Sequence, residues 1–379
     1  MRSFLLASFL LLLGSSGLAQ QALTCDDAKV LEGPCGIQSI ALKMNDLQAV
    51  GSHNSYKLAI PMVELARIRG YNSNSADSLD YSHLRLTDQL ELGMRQLELD
   101  IVYDPEGGRF ADPLLPRETA RFYGAQPYDS ADMLAPGFKV LHSPDIDVRS
   151  SCATWVTCLI EIRNWSQANP QHVPILIMFN AKEGGSAYPS ARPALDFTVE
   201  AYAALDAETL SVFDRSELIV PDDVRGSVKT LREAVLAGGW PTLHEVRGKV
   251  FFAMDERPEK VAVYMRGRTS LEGLPIFVNS VSEEADHAAY FTINNPVRDQ
   301  QRIRAAVEAG FIVRTRADAD TREARSNSSE RRESAFASGA QYVSTDYYVP
   351  RFEFSDYSVQ LPGHAAARCN PVRQNEVCE

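Results

Sequence analysis

The chain has 379 residues, of which 45% are hydrophobic, and it carries a formal net charge of -12. This acidic balance argues against a nucleic-acid partner and against strong adhesion to anionic membranes, because both require clustered cations. The length suits one large barrel or two ordinary domains, and no linker rich in Pro, Gly or Ser divides the sequence, so we expect one domain over residues 20–379.

Residues 1–19 predict a signal peptide. Arg2 is followed by an apolar run over residues 4–13 and then by small residues that end at Ala19. This run is too short to cross about 30 Å of hydrocarbon, which argues against a membrane anchor. We therefore expect an exported protein, either periplasmic or secreted from the cell.

The cysteines agree with export because they fall in local pairs. The pairs are Cys25 with Cys35, Cys152 with Cys158, and Cys369 with Cys378. Short loops closed by even numbers of cysteines are typical of disulfides in an oxidising compartment. A zinc site is the alternative, but no pair has the two-residue spacing and the accompanying histidines that structural zinc prefers.

Short apolar runs alternate with polar helical stretches along the rest of the chain, a pattern typical of parallel strands joined by crossover helices. The candidate strands are residues 47–50, 95–103, 139–142, 175–179, 249–254, 276–279, 311–316 and 341–345. A further run over residues 289–294 would replace or accompany the sixth strand. Eight strands predict an α/β fold with a TIM-like (β/α)8 barrel, and a doubly wound open sheet is the alternative.

The segments between these strands differ in character. A helix is expected to start at Thr87, and residues 152–165 carry apolar side chains at helical spacing. Residues 111–136 are rich in Pro, Tyr and Asp and predict a long loop on the face where barrel enzymes carry out their chemistry. The charged segment 322–332 predicts a solvated helix or loop.

Polar side chains stand at the carboxyl ends of most of the candidate strands. They are His53, Asn54, Glu98, Asp100, His142, Asn180, Lys182, Asp255, Arg314, Arg316 and Asp346. The carboxyl ends of barrel strands converge on one face, so we expect the functional site there.

Glu98 and Asp100 point to the same side of their strand, because side chains alternate between its two faces. Two carboxylates aimed into a barrel repel each other and need a cation. The oxygen donors of Asn54, Glu98, Asp100 and Asn180 suit Ca2+ better than Zn2+, with Mg2+ as an alternative. A network of ion pairs with Arg314, Arg316 or Lys182 explains the same carboxylates equally well.

His53 and His142 lie on separate candidate strands and can act as a base and an acid, because imidazole titrates near neutral pH. The sequence contains no HExxH helix, no GxSxG elbow and no GxxxxGK[ST] loop. The zincin, serine hydrolase and nucleotide hydrolase classes therefore lose their main support.

These residues resemble a known family. The segment GSHNSY over residues 51–56, followed by GMRQLELD over residues 93–100, resembles the catalytic X region of phosphoinositide-specific phospholipases C. Residues 142–145, 152–165, 314–318 and 339–347 resemble the secreted, calcium-dependent microbial branch, and the similarity runs from about residue 47 to residue 371. The resemblance implies a TIM-like barrel that cleaves phosphoinositides to diacylglycerol and an inositol phosphate, often through a cyclic 1,2-phosphate.

The resemblance also implies roles for individual residues. His53 and His142 match the two catalytic histidines, while Asn54, Glu98 and Asp100 match ligands of a Ca2+ cofactor. We expect His53 to abstract a proton or stabilise the phosphate, and His142 to protonate the leaving group. Glu98 is the alternative base, since a metal-bound carboxylate takes that role in some relatives.

Three further residues are candidates for binding the substrate. Lys182 falls near the charged residues that the family carries after its fourth strand, and Arg314 and Tyr347 would hold a head-group phosphate and its ring. For Arg314 and Tyr347, an internal ion pair and a packing aromatic are equally good interpretations. The expected partner is a phosphoinositide or a related inositol phosphodiester, with transient contact to a membrane surface and no obligate protein partner.

One position departs from the family pattern. The fourth strand normally ends in a glutamate that completes the metal site, whereas this chain has Asn180. The site thereby loses one negative charge, which predicts weaker calcium affinity or a changed substrate. Two alternative functions stay open: a glycerophosphodiester phosphodiesterase, and an exported binding protein that kept the barrel and lost turnover.

Overall fold

The computed structural model describes residues 42–128, 130–186 and 188–373. The predicted signal peptide and Cys25, Cys35 and Cys378 lie outside these residues. The strands are β1 (Leu47–Ser52), β2 (Gln96–Val102), β3 (Lys139–Val140), β4 (Ile175–Ala181), β5 (Val250–Met254), β6 (Ile276–Val278), β7 (Tyr290–Thr292), β8 (Ile312–Arg316), β9 (Tyr342–Thr345) and β10 (Ala367–Cys369).

The helices lie mostly between the strands. They are α1 (Met62–Tyr71), α2 (Ser73–Ser78), α3 (Leu86–Glu91), α4 (Leu114–Tyr123), α5 (Trp155–Ala168), α6 (Val199–Val212), α7 (Pro221–Arg225), α8 (Leu231–Leu236), α9 (Leu243–Val246), α10 (Pro258–Met265), α11 (Gln300–Ala309), α12 (Arg322–Ser326) and α13 (Glu330–Ala337). Within the part of the chain that the structure describes, no helix has the length and apolar character needed to cross a bilayer.

Strands β1, β2, β4, β5, β6, β7, β8 and β9 form a nearly closed parallel barrel. Each pairs in parallel with the next, and β9 returns to β1. The β6–β7 contact is a single parallel bridge between Asn279 and Tyr290, where the Ser280 N–H also donates to the Tyr290 carbonyl at 3.0 Å. The TIM-like barrel is therefore confirmed, and the open sheet is excluded.

One expectation about the barrel strands was wrong. The predicted strand over residues 139–142 is only β3, which pairs antiparallel with β2 at the edge of the barrel. A strand parallel to β2 would need a connecting helix that packs on the barrel. The helix between β2 and β3 is α4, and it packs against α1. The run 289–294 supplies β7 and restores the count of barrel strands.

The predicted long loop over residues 111–136 contains α4, so that prediction was wrong in part. Asp145 accepts hydrogen bonds from the first N–H groups of this helix: the Leu114 N–H donates to its carboxylate at 3.1 Å and the Leu115 N–H to its carbonyl at 2.9 Å. The charged segment 322–332, predicted as a solvated helix or loop, contains α12 and the start of α13.

The other helix expectations hold within a few residues. The helix α3 begins at Leu86, one residue before Thr87. The helix α5 begins at Trp155, where the Thr154 hydroxyl accepts the Thr157 N–H at 3.1 Å. Cys152 and Cys158 form the predicted disulfide around this helix start.

Alternation along the central strands decides which side chains enter the barrel. Trp155 contacts Phe179, with ring centroids 5.5 Å apart, so the odd-numbered residues of β4 face the surrounding helices. The even-numbered residues face the interior, where Met178 accepts a hydrogen bond from the Tyr290 hydroxyl. Asp100 and Asn180 are register partners across β2 and β4, so both carry their side chains inward.

Candidate active site

The turn after β1 is tied to β2 and presents His53 and Asn54 at the carboxyl end of the barrel. A Cβ at Gly51 would lie 2.4 Å from the Cβ of Gln96, so only glycine permits this approach of the two strands. Asn54 has a left-handed φ of 50°, which asparagine tolerates better than most residues. The Ser55 hydroxyl accepts the Glu98 N–H at 2.8 Å, which fixes the turn beside Glu98.

His53 is held at both ring nitrogens. Its Nδ1 lies 2.9 Å from Asp346 Oδ1, and its Nε2 lies 3.1 Å from an Arg316 Nη1 that donates to it. Glu98 Oε1 is 3.8 Å from the same Nε2. Burial, reinforced by the charge of Arg316, lowers the pKa of His53 well below its ordinary value. The imidazole is therefore neutral at neutral pH, with its proton on Nδ1 and a lone pair on Nε2.

Asp346 belongs to a network that the sequence did not reveal. Arg316 Nη2 donates to Asp346 Oδ2 at 3.1 Å, and the backbone N–H of Asp346 donates to Asp318 Oδ1 at 2.9 Å. Burial, with Asp346 nearby, raises the pKa of Asp318 to about 7. Asp346 directly follows β9, the neighbour of β1 in a closed barrel, and that adjacency is the signal from which its contact with His53 could have been predicted.

His142 has an aspartate partner of its own. It lies in the turn after β3 rather than at the end of a barrel strand, and its Nδ1 is 3.1 Å from Asp147 Oδ2. Lys57 Nζ is 3.3 Å from the same oxygen. Burial opposes ionisation of Asp147, but Lys57 and His142 hold the pKa of this carboxyl below its ordinary value. Sequence reasoning missed Lys57 and Asp147, because neither ends a strand.

The two histidines lie on the same face and reach solvent. His142 is near enough that its charge would further lower the pKa of His53. The side chain of His53 is 17% exposed and that of His142 is 26% exposed, whereas Asp346 and Asp147 are each 1% exposed. The face therefore offers two accessible imidazoles, each backed by a buried carboxylate.

The carboxylates of Glu98 and Asp100 are each bound on one side by a cation of the chain. Arg314 donates to Glu98 Oε2, while Asp100 Oδ2 accepts from Lys182 Nζ at 2.9 Å and from the Tyr56 hydroxyl at 3.0 Å. Burial raises the pKa of Glu98 to about 7, although Arg314 opposes this rise. The predicted ion-pair network is thus present for both carboxylates.

Two oxygen atoms suited to calcium have no hydrogen-bond partner among the described residues. They are Asn54 Oδ1 and Asp100 Oδ1, and both are buried. Asn180 donates through Nδ2 to the Asp255 carbonyl, so its amide nitrogen is already hydrogen-bonded within the protein. No group of three histidine, cysteine or carboxylate side chains suited to a metal occurs in residues 42–128, 130–186 and 188–373, so calcium would depend on asparagine oxygens as well. Hard, neutral and anionic oxygens of this kind fit Ca2+.

The candidate substrate-binding residues separate into different environments. Lys182 is 34% exposed at the edge of the site, while Arg314 is 1% exposed inside the barrel. Tyr347 is buried, and its ring packs 6.4 Å from that of Phe354 and 6.0 Å from that of Tyr357. Arg314 thus makes an internal ion pair and Tyr347 packs against aromatic rings, while the binding of substrate by these two residues stays a prediction.

Comparison with known proteins identifies the family. Residues 42–371 match the family model described as phosphoinositide phospholipase C, Ca2+-dependent. The chain belongs to this family, and it is therefore a phosphodiester-cleaving enzyme whose cofactor is Ca2+. A comparison with curated proteins finds no match.

Solved structures share the fold. A calcium-dependent phosphoinositol-specific phospholipase C from the Gram-negative bacterium Pseudomonas sp. is 18% identical, with a TM-score of 0.53 over 87% of this chain and 96% of that chain. A Ca2+-dependent phosphatidylinositol-specific phospholipase C from Streptomyces antibioticus is 16% identical, with a TM-score of 0.50 over 81% of this chain and 96% of that chain. At these identities the likeness supports the barrel and its topology, while the roles of the site residues rest on their geometry.

Proposed function

We propose that the enzyme cleaves the glycerophosphoryl bond of phosphatidylinositol-type lipids. The products are diacylglycerol and an inositol phosphate, which is released first as the cyclic 1,2-phosphate. The observation that carries the proposal is the pair of accessible histidines, each with a buried aspartate, beside the oxygen donors Asn54 and Asp100. Such a pair suits a displacement at phosphorus that needs one proton removed and another supplied.

His53 is the proposed base. Its neutral ring has the lone pair on Nε2, so it can take the proton of the inositol 2-hydroxyl as that oxygen forms a bond to phosphorus. Asp346 Oδ1, 2.9 Å from Nδ1, stabilises the imidazolium that results. The substrate hydroxyl would replace Arg316 as the donor to Nε2, which leaves the guanidinium free to face the phosphate.

His142 is the proposed acid. It gives its proton to the glycerol oxygen as the bond between that oxygen and phosphorus breaks, so the two histidines exchange protonation states in one turnover. Asp147 lies 3.1 Å from Nδ1 and orients the ring that donates the proton. Water can later attack the cyclic phosphate with the two roles reversed.

Asn54, Glu98, Asp100 and Asn180 are the proposed calcium ligands. Bound Ca2+ would neutralise charge on the phosphate and make the 2-hydroxyl more acidic. Lys182 sits beside Asp100 at the rim and would add a second positive charge near the phosphate. Although burial opposes its charged form, Asp100 raises the pKa of Lys182, so the ammonium is present at neutral pH.

A lipid substrate implies contact with a membrane, and we propose that α1 and α4 make it. These helices lie in the connections that follow β1 and β2 and expose Met62 at 86%, Phe122 at 81% and Tyr123 at 66%. Arg67 and Arg121 line the groove between the two helices, together with Glu118, whose Oε2 is 4.0 Å from Arg67 Nε. Exposed apolar side chains beside arginines fit the interfacial region of a bilayer, and the contact is transient because the whole chain is acidic. We further propose that residues 1–19 direct export, as the sequence predicts.

Phosphorus NMR tests the reaction. Purified mature protein is incubated with phosphatidylinositol micelles, first with calcium and then with excess chelator, and in parallel with glycerophosphocholine. We expect a cyclic inositol phosphate signal only with calcium and no change in glycerophosphocholine, whose choline has no hydroxyl placed for cyclisation. Release of glycerol phosphate from glycerophosphocholine, with phosphatidylinositol intact, would show that the protein is a glycerophosphodiester phosphodiesterase.

A further inference from the structure

The two predicted carboxylate ligands of calcium divide their oxygens in the same way. Glu98 gives Oε2 to Arg314, and Asp100 gives Oδ2 to Lys182. The other oxygen of each stays available: Asp100 Oδ1 is buried and has no hydrogen-bond partner in the described part of the chain, and Glu98 Oε1 lies 3.8 Å from His53 Nε2. Ion pairing and metal binding are therefore compatible uses of these two side chains.

The two cations differ in their freedom to move. Lys182 is 34% exposed at the rim, so its flexible stem can carry the ammonium into water. Arg314 is 1% exposed on β8, and its guanidinium also donates to Asn294 Oδ1. A planar guanidinium fixed by two acceptors inside the barrel is a permanent charge of the site.

The charges of this group cancel. Glu98 and Asp100 face the Arg314 guanidinium and the Lys182 ammonium. Asp255 and Arg316 add one further charge of each sign nearby, and Asn180 contributes no charge where the family pattern has a glutamate. A divalent ion therefore enters a site whose negative potential the chain has already offset, and it meets a fixed positive charge behind Glu98. Since buried charges are only weakly screened, this opposition acts directly on calcium affinity.

We infer that Arg314 is a positioning residue that holds calcium affinity down and restricts Glu98 to binding the ion through Oε1. The inference rests on the proposed function, because it takes Glu98 and Asp100 as calcium ligands. The expected affinity is that of extracellular calcium modules, with a Kd of roughly 10⁻⁴ to 10⁻³ M. Arg314 thus acts on the metal site from inside the barrel and does not contact the head group.

Calorimetric titration of the full mature chain with calcium chloride tests this role. The variants are Arg314→Met, which keeps length and removes charge, and Arg314→Lys, which keeps the charge. We expect Arg314→Met to bind calcium about tenfold more tightly and Arg314→Lys to stay within about threefold of wild type. Arg304→Met, an exposed arginine on α11, is the matched control and should leave the affinity unchanged.

Thermal unfolding supplies a second readout that does not depend on turnover. Without calcium, Arg314→Met leaves Glu98 buried and unpaired, so calcium should raise the Tm of this variant more than it raises that of wild type. If Arg314→Met does not fold without calcium, Lys182→Met replaces it in the titration, and it should also tighten calcium binding because it removes the second offsetting charge.

The outcomes separate the inference from the proposed function. Unchanged or weaker calcium binding by Arg314→Met, with wild type binding normally, would overturn the inference and leave the ligand assignment standing. The same would follow if Lys182→Met, used in its place, gained no affinity. Absence of calcium binding in wild type and both variants would overturn the ligand set itself, and the inference with it.

Discussion

Replacing Asp346 with asparagine is expected to abolish most of the turnover while leaving the shape of the site intact. Arg316 Nη2 donates to Asp346 Oδ2 at 3.1 Å, so the guanidinium would keep the amide oxygen of the new asparagine on its own side. The amide nitrogen would then face His53 Nδ1, where Asp346 Oδ1 now lies at 2.9 Å. Because an amide N–H only donates, Nδ1 must become the acceptor, and the ring proton moves to Nε2.

The size of the effect follows from the loss of the base. With its proton on Nε2, His53 cannot accept the proton of the substrate hydroxyl. General base catalysis contributes about 10² to 10⁴ in rate, and a wrong histidine tautomer in a serine protease costs about 10⁴. We therefore expect kcat to fall by about 10² to 10⁴, which corresponds to about 3 to 5 kcal/mol in the barrier. KM should change little, because Asp346 is buried behind the ring.

Steady-state cleavage of phosphatidylinositol at saturating calcium measures this loss, with kcat and KM determined separately. Asp318→Asn is the matched control: Asp318 holds the backbone of Asp346 but does not contact His53, and burial raises its pKa to about 7, so a neutral amide is a mild change there. We expect Asp318→Asn to lose less than about tenfold in kcat. A kcat for Asp346→Asn within about tenfold of wild type, or equal losses in the two variants, would refute the tautomer argument.

Three further predictions concern calcium, pH and the disulfide. Asn180→Glu restores the family's third carboxylate and should tighten calcium binding by about tenfold in calorimetry, and no gain would contradict the proposed ligand set. Burial lowers the pKa of His83 to about 4 in the folded state, against about 6.5 when unfolded, so the unfolded chain binds more protons between these values. The free energy of unfolding should therefore fall by up to about 3 kcal/mol as pH drops through this window. Denaturant melts of His83→Gln should show a smaller fall, whereas the exposed control His244→Gln should show the same fall as wild type. Replacing Cys152 and Cys158 together by alanine should cost about 2 kcal/mol of stability, the entropy of a loop with a sequence separation of 6, and an unchanged unfolding midpoint would disprove this.

The sequence predicted the barrel because fully buried parallel strands are nearly continuous apolar runs. It did not decide which short runs are barrel strands, since β3 and β7 are two and three residues long and periodicity has no meaning over so few positions. Pairing with β2 makes β3 antiparallel, and pairing with β8 makes β7 part of the barrel. Only the tertiary arrangement supplies this distinction.

The candidate site could also be predicted only in part. Strand ends placed His53, Glu98, Asp100 and Asn180 on one face, because alternation and barrel geometry determine direction. The partners of the histidines could not be predicted in this way: Asp147 lies in a turn, and the contact of Asp346 with His53 depends on the closure of β9 against β1. Alternation predicts which face of a strand carries a side chain, but it does not predict the partner of each carboxylate oxygen.

The initial rate of phosphatidylinositol cleavage by His53→Ala, measured beside wild type at saturating calcium, tests whether His53 is the base. We expect a loss of at least about 10³ in rate, with calcium still bound in calorimetry, because the variant removes the base and leaves Asn54, Glu98 and Asp100 in place. A rate within about tenfold of wild type would show that another group abstracts the proton, and it would contradict the assignment of His53 as the base.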